Sequence, residues 1–411
     1  MAAHLMEQAH DPLQVRRSGL RVALFSGNYD CVRDGANQAL NRLVGHLLHE
    51  EGAAVRVYSP VAAEPAFNSV GDVVPVRSLA IPGRDEYRVA LGLPSKIRRD
   101  IRAFAPDIVH LSAPDWLGWR AQRFARELGV PVVSSLHTRF ETYLDYYGLR
   151  WLRKPAERYL ARFYDGCDHV LAPTEAIART FRRSGLNGRV SVWGRGVDHG
   201  QFNPEWRSTA WRREWDYAPD EVVPLFFGRL VREKGIGIFA DVIRTVRERG
   251  HRLRPLIVGE GPARDWFAEQ LPDALFLGHL TGERLGTAIA SADVLINPSV
   301  TEAFGNVNLE AMASGVSIIS ARVDSATALI EHGVSGLLVQ ADDVTAYADA
   351  LERLILSRSA RVALGTAAAQ HARTHDWHRQ LSSVATVYAA CLDAKRRGAG
   401  AWVQPCLADA A

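Results

Sequence analysis

The chain has 411 residues, 47% hydrophobic and 23% charged, with a formal net charge of +3; this suits a globular protein of two domains and gives no basic field for binding nucleic acid. No apolar run approaches the roughly 18 residues that cross a bilayer. Cys31, Cys167, Cys391 and Cys406 are far apart and form no CxxC, which argues against a disulfide framework or zinc site and fits a reducing compartment.

Residues 1–19 lack an apolar h-region and read as a disordered lead-in, not a secretory signal. "LRVALFSG" is a strand-like run. The helical pattern "GANQALNRLVGHLLHEEG" follows it, closed by Gly52. "AAVRVYSP", "DIVHLSAP", "PVVSSLHT" and "HVLAPTEA" continue the strands, while residues 61–99 read as irregular. Residues 199–219 are polar, rich in Trp and Arg, and flanked by Pro204 and Pro219; they read as the crossing between two domains. The alternation then restarts with "VVPLFFGRL", "LRPLIVGEG", "ALFLGHL", "DVLINPS", "SIISARV" and "GLLVQ". Strands separated by helices predict an α/β protein with parallel sheets covered on both faces. The expected division is a first domain over 20–200, a second over 201–375, a helix over 376–397 crossing back to the first, and a disordered tail over 398–411.

Ligands of open α/β sheets bind beyond the carboxyl ends of the strands. The unusual residues of this chain cluster there: Gly27-Asn28-Tyr29, His110, His137, Arg195, Gly228-Arg229, Gly259-Glu260-Gly261 and Glu302. Two such rims facing each other would make a cleft.

In "FFGRLVREKG" a buried strand ends at Gly228, and Arg229 and Lys234 follow five residues apart. The two cations could converge on a diphosphate, helped by the N-terminus of the next helix, or could be surface charges on a solvated loop. In "SVTEAFGNVNLEAMASG", Glu302 and Glu310 stand eight apart around a helix start. A carboxylate suits a vicinal diol, and the N–H groups of Phe304, Gly305 and Asn306 would face the same space. An acidic residue at a helix start is also ordinary, although Glu310 sits among apolar neighbours. His137 taken alone reads as a structural histidine. His371, His375 and His378 have metal-like helical spacing without supporting ligands and read as a solvated face, so no metal site is expected. "VGEGPARDW" lacks the third glycine of a dinucleotide fingerprint. Residues 139–165 combine aromatic rings with Arg150, Arg153, Lys154, Arg158 and Arg162, either as a membrane-facing surface or as a core helix with a solvated basic side.

Together, "TEAFGNVNLEAMASG", "FFGRLVREKG", "VGEGP" and "RGVD" (Arg195 to Asp198) resemble the retaining glycosyltransferases of family 4. The resemblance runs over about residues 20–390. It implies the GT-B fold, two Rossmann-like domains whose parallel sheets face a central cleft. It implies that Arg229 and Lys234 hold the donor diphosphate, Glu302 the donor sugar and Glu310 the ribose, with His137 against the sugar. Gly35, Arg195, Gly228, Gly259, Leu280, Phe304, Gly305, Asn306 and Val307 complete the implied donor site, with no cofactor and no metal. "LHTRFETYLDYYGLRWL" and "FGNVNLEAMASG" look most like the GDP-mannose-dependent alpha-mannosyltransferases that glycosylate lipids. The implied partners are a nucleotide-sugar donor, a lipid or glycan acceptor and a membrane surface met by residues 139–165. The implied location is cytoplasmic, at the inner face of the membrane. The chain departs from the family pattern at Asp34-Gly35, at Gly315 to Ser317 and at Asp324 to Leu329. UDP-sugar-dependent transfer, sugar-nucleotide epimerisation and non-catalytic nucleotide-sugar binding are the alternatives.

Overall fold

The computed structural model describes residues 19–32, 35–62, 64–81, 84–137, 150–186 and 188–398. The expected lead-in and tail therefore lie outside the described residues except for Gly19 and Gly398, as do Asp34 and residues 139–149 of the aromatic segment.

The first sheet is parallel, with strands β1 (Arg21–Phe25), β2 (Ala54–Ser59), β3 (Asp72–Pro75), β6 (Ile108–Leu111), β7 (Val132–Ser135), β8 (His169–Ala172) and β9 (Val190–Val192). Its order is β3-β2-β1-β6-β7-β8-β9. An antiparallel hairpin, β4 (Ser78–Ile81) and β5 (Arg84–Ala90), stands apart from it. The second sheet contains β10 (Pro224–Phe227), β11 (Leu256–Val258), β12 (Leu275–Phe276), β13 (Val294–Asn297), β14 (Ser317–Ala321) and β15 (Leu337–Val339). Its order, β12-β11-β10-β13-β14-β15, is the Rossmann order 3-2-1-4-5-6.

Each sheet is coated on both faces, which is why its strands read as continuous apolar runs. In β1, Val22 and Leu24 join one core cluster while Ala23 and Phe25 join the other. In the second sheet Leu256 and Val258 face one cluster and Ile257 the opposite one. The helix Trp377–Arg396 buries Leu381, Val384, Tyr388 and Cys391 in the core of the first domain, although the chain reaches it from the second. Cys31, Cys167 and Cys391 are buried, and none of them is in a disulfide.

Two expectations are corrected. Residues 61–99 are not irregular: they hold β3, the hairpin and the start of the helix Ser95–Phe104. These strands are short and largely exposed, so the burial contrast that marks a strand in sequence is weak there. His110 does not lie beyond a strand end but within β6, where it is completely buried. The segment 199–219 is docked on the second domain: Arg212 is buried and ion-paired to Asp293 at 2.9 Å, and Trp211 and Tyr217 pack on the core.

Candidate functional site

Both sheets reverse their strand order at one point, β1/β6 in the first and β10/β13 in the second, and the crevices open there. Gly228 follows β10, and the loop after β11 presses against it. A Cβ on Gly259 would lie 1.9 Å from the Gly228 carbonyl oxygen, so only glycine fits there. Gly261 is likewise held against the Leu230 carbonyl. The "VGEGP" glycines thus serve loop packing, which accounts for the missing third glycine of a dinucleotide turn.

The helix Asn306–Ala313 starts beyond β13, preceded by Gly305 in the left-handed conformation at φ 94°. The N–H groups of its first residues have no carbonyl one turn earlier within the helix and form the positive end of its dipole. Val307 is adjacent to Gly228: a Cβ there would be 3.8 Å from Val307 Cγ2. Across the cleft, Gly35 opens the helix Gly35–His49, and a Cβ on it would come within 2.1 Å of Asn306 Nδ2. Two helix N-termini, one from each domain, therefore meet at this point. Asn306 Oδ1 is buried there without a hydrogen-bond partner.

Lys234 and Glu302 converge, with Nζ donating to Oε1 at 2.5 Å. Pro298, after β13, backs the turn at Gly235 that carries Lys234. Arg229 Nη1 donates to the Tyr87 hydroxyl at 3.3 Å, bridging the loop after β10 to the hairpin of the first domain. Glu310, one helical turn into the helix, is partly covered, and its carboxyl is pushed up to about 8. Burial is the main cause; the Arg42 cation of the first domain opposes it and the Glu302 carboxylate adds to it.

His137 is locked by a hydrogen-bond chain. Arg195 Nη2 donates to its Nδ1 at 2.7 Å, so in the neutral ring the proton sits on Nε2, which donates to Ser135 Oγ at 2.7 Å. The Ser135 hydroxyl donates in turn to His110 Nε2 at 2.8 Å, and His110 Nδ1 faces the Tyr388 hydroxyl at 2.6 Å. Burial, reinforced by Arg195 and His110, holds His137 well below the usual histidine range. The ring is neutral near pH 7 and both of its nitrogens are engaged by protein groups. Arg195 is itself buried, stacks on Trp193 at 4.9 Å and donates to the carbonyls of Trp193 and Gly194. Its guanidinium organises this wall.

The other predicted positions differ. Phe304 is core: its ring lies in the second-domain cluster and near Gly194, leaving its backbone for the site. Leu280 and Val307 are partly buried against the same cluster. Among the described residues no group of three His, Cys, Asp or Glu side chains could hold a metal ion. His375 instead accepts from Val197 N–H through its backbone carbonyl. The sequence reading missed Arg42, Tyr87, Ser135 and Asp115. The last, at the first-domain crevice, accepts from Gly118 N–H at 2.7 Å, and burial still raises its carboxyl to about 6. Helix-capping spacing could have revealed Asp115; nothing local marks Arg42 or Tyr87.

The assembled site places two cations, two carboxylates and a helix N-terminus around the mouth of a cleft between two Rossmann-like domains. Residues 33–201 match the family model "Glycosyltransferase Family 4" and residues 221–357 match "Glycosyl transferases group 1". A GDP-mannose-dependent alpha-mannosyltransferase of Corynebacterium glutamicum is 30% identical over 90% of this chain and 89% of its own length. The sulfoquinovosyl transferase SQD2 of Arabidopsis thaliana is also 30% identical, over 82% of this chain and 67% of its own. In structure, sucrose-phosphate synthase of Thermosynechococcus elongatus superposes with a TM-score of 0.76 at 18% identity, covering 91% of this chain and all of that one. The fold is GT-B, and the chain belongs to glycosyltransferase family 4, enzymes that transfer a sugar from a nucleotide sugar.

Proposed function

We propose that this glycosyltransferase moves a mannosyl group from GDP-mannose to a hydroxyl of a lipid-linked acceptor, with retention of configuration, at the cytoplasmic face of a membrane. The observation that carries the donor reading is the convergence of Lys234 and Glu302 beside the N-terminus of the helix Asn306–Ala313. This array suits one ligand that carries both a diphosphate and diols. In this reading Arg229 and Lys234 bind the diphosphate, Glu302 the sugar and Glu310 the ribose. Gly228 and Gly259 let the backbone approach, and His137 lies against the sugar. The mannosyl part is supported by relatives 30% and 32% identical that are named GDP-mannose-dependent alpha-mannosyltransferases.

A retaining displacement through a covalent intermediate needs two carboxylates about 5 Å apart across the scissile bond. Glu302 is instead engaged by Lys234. The chemistry we propose is attack from the face the diphosphate leaves. The bond from the anomeric carbon to the departing phosphate oxygen breaks as the acceptor oxygen bonds to that carbon, and the acceptor proton passes to the phosphate. Arg229, Lys234 and the helix N-terminus stabilise the developing negative charge, so no divalent metal is required. The sulfoquinovosyl transferase, also 30% identical, is named for a sugar other than mannose and favours a second reading, transfer of another sugar, for which a UDP-sugar is the alternative donor. Incubation of the enzyme with labelled GDP-mannose or a labelled UDP-sugar, a membrane lipid extract and EDTA tests these readings. Label should move from GDP-mannose into the lipid fraction with EDTA present. Label that moves only from the UDP-sugar, or only after magnesium or manganese is restored, would overturn the donor or the metal assignment respectively.

A further inference from the structure

The hairpin β4–β5 exposes an apolar face. Leu79 pairs with Val89, and Leu91 donates its N–H to the Arg77 carbonyl, so Leu79, Val89, Leu91 and Arg77 share one side of the ribbon. Leu79 is 62% exposed, Val89 50% and Leu91 54%. The apolar surface continues: a Cβ on Gly92 would lie 3.0 Å from Trp116 Nε1, and Trp116 is 55% exposed. From there Tyr159, also exposed, donates to the Pro114 carbonyl at 2.8 Å and stacks on Trp119. Five of the twelve exposed large apolar side chains among the described residues, Leu79, Val89, Leu91, Trp116 and Tyr159, lie on this one side of the first domain. Single exposed apolar residues need no explanation, but a contiguous patch marks an interaction surface.

The opposite side of the hairpin is fastened. Asn28 clamps the Arg88 backbone from both directions, at 2.8 and 3.3 Å, and Ala90 is buried in the first-domain core. The patch is therefore held rigidly by a residue of the cleft rim, and its Tyr87 touches Arg229.

We propose that this face seats the enzyme on an anionic lipid surface, the hairpin and Trp116 entering the headgroup region. The inference rests on the lipid-acceptor reading and supplies its partner. The charges decide for lipid. Arg77 is exposed on the apolar face, the Arg120 guanidinium lies 5.9 Å from the Trp116 ring, and Lys96 and Arg99 are exposed on the adjoining helix. Lys154, Arg158 and Arg162 are exposed on the helix Arg153–Asp165 that carries Tyr159. Tryptophan and tyrosine bordering an apolar face, ringed by cations, suit the boundary of an anionic bilayer. Of the segment 139–165, the exposed Lys154, Arg158, Tyr159 and Arg162 adjoin this face.

The test is co-sedimentation with phosphatidylcholine vesicles, with and without phosphatidylglycerol, alongside transfer to a detergent-dispersed lipid extract. The wild type should bind anionic vesicles, more weakly as salt rises. The triple variant Leu79→Ser, Val89→Ser, Leu91→Ser should lose at least tenfold in vesicle affinity while keeping its transfer rate in detergent, which also reports an intact fold. Lys154→Glu with Arg158→Glu should abolish the preference for the anionic vesicles. Unchanged partitioning of the triple variant would overturn the proposal. So would a wild-type dimer in sedimentation that the triple variant disperses, since a second copy would then cover the face. Transfer in detergent reads the lipid-acceptor assignment separately from the surface.

Discussion

Glu310 offers a prediction with a defined sign. Its carboxyl releases its proton near pH 8 instead of near 4.5. A carboxylate accepts from both hydroxyls of a ribose diol, whereas the protonated acid has lost one acceptor site to its own proton. Nucleotide-sugar binding should therefore draw on the ionised fraction, about 9% at pH 7 and about 76% at pH 8.5 for a group of this pKa. The donor diphosphate, esterified at both ends, keeps a constant charge over that range. Affinity should tighten about eightfold from pH 7 to 8.5, and binding at pH 7 should release about 0.9 proton per donor. Titration calorimetry with GDP-mannose in two buffers of different ionisation enthalpy reads both quantities. Glu310→Gln should bind weakly at either pH and release no proton. The unliganded protein shows the opposite linkage: its native state holds this proton more tightly than the unfolded chain, so the group's contribution to stability falls as pH rises from about 4.5 to about 8. A wild type whose affinity and proton release do not respond to pH would refute the ribose assignment.

Arg229→Ala and Lys234→Ala should each lower kcat about 10²–10³-fold without altering the circular dichroism spectrum, since each removes a donor aimed at departing charge; near-wild-type turnover in both would end the diphosphate assignment. Because Lys234 and Glu302 are paired at 2.5 Å, their double alanine variant should lose less than the product of the single losses. Ser135→Ala cuts the link between His110 and His137 and should lower kcat more than donor affinity. Tyr388→Phe leaves a buried His110 N–H without its partner and should cost about 1–3 kcal/mol in denaturant unfolding. Wild-type behaviour in both variants would mean that the chain behind His137 orders nothing.

What the sequence made legible, and what it hid, follows from where each signal lives. The strands of both sheets are read easily because burial on two faces writes them as unbroken apolar runs, and the Rossmann alternation follows from their spacing with helices. Glu302, Lys234 and the helix start are also local: each needs only a strand end and the turn after it. The three-residue β9 and the hairpin β4–β5 were missed for opposite reasons. β9 is too short to show a period. The hairpin shows alternation, but its apolar side faces outward, where a reading based on burial has no use for it.

Contacts across the cleft belong to neither domain's local pattern. Gly35 against Asn306, Tyr87 on Arg229 and Arg42 near Glu310 join residues more than 140 positions apart, and only the closed arrangement of two sheets brings them together. His137 shows the consequence most plainly. A histidine near a strand end invites an acid–base role, and its spacing alone could not exclude one. The exclusion comes from Arg195, contributed by the loop after β9, and from Tyr388, contributed by a helix the chain forms only after leaving the second domain. Together with Ser135, which engages both Nε2 atoms, they occupy the ring nitrogens of His137 and His110. In this arrangement neither imidazole is left free, which agrees with the proposed mechanism, where the cations and the helix N-terminus stabilise the departing diphosphate. The same crossing helix that completes the first-domain core thus also sets what the wall of the cleft can do, so a truncation before Trp377 would alter the site as well as the fold.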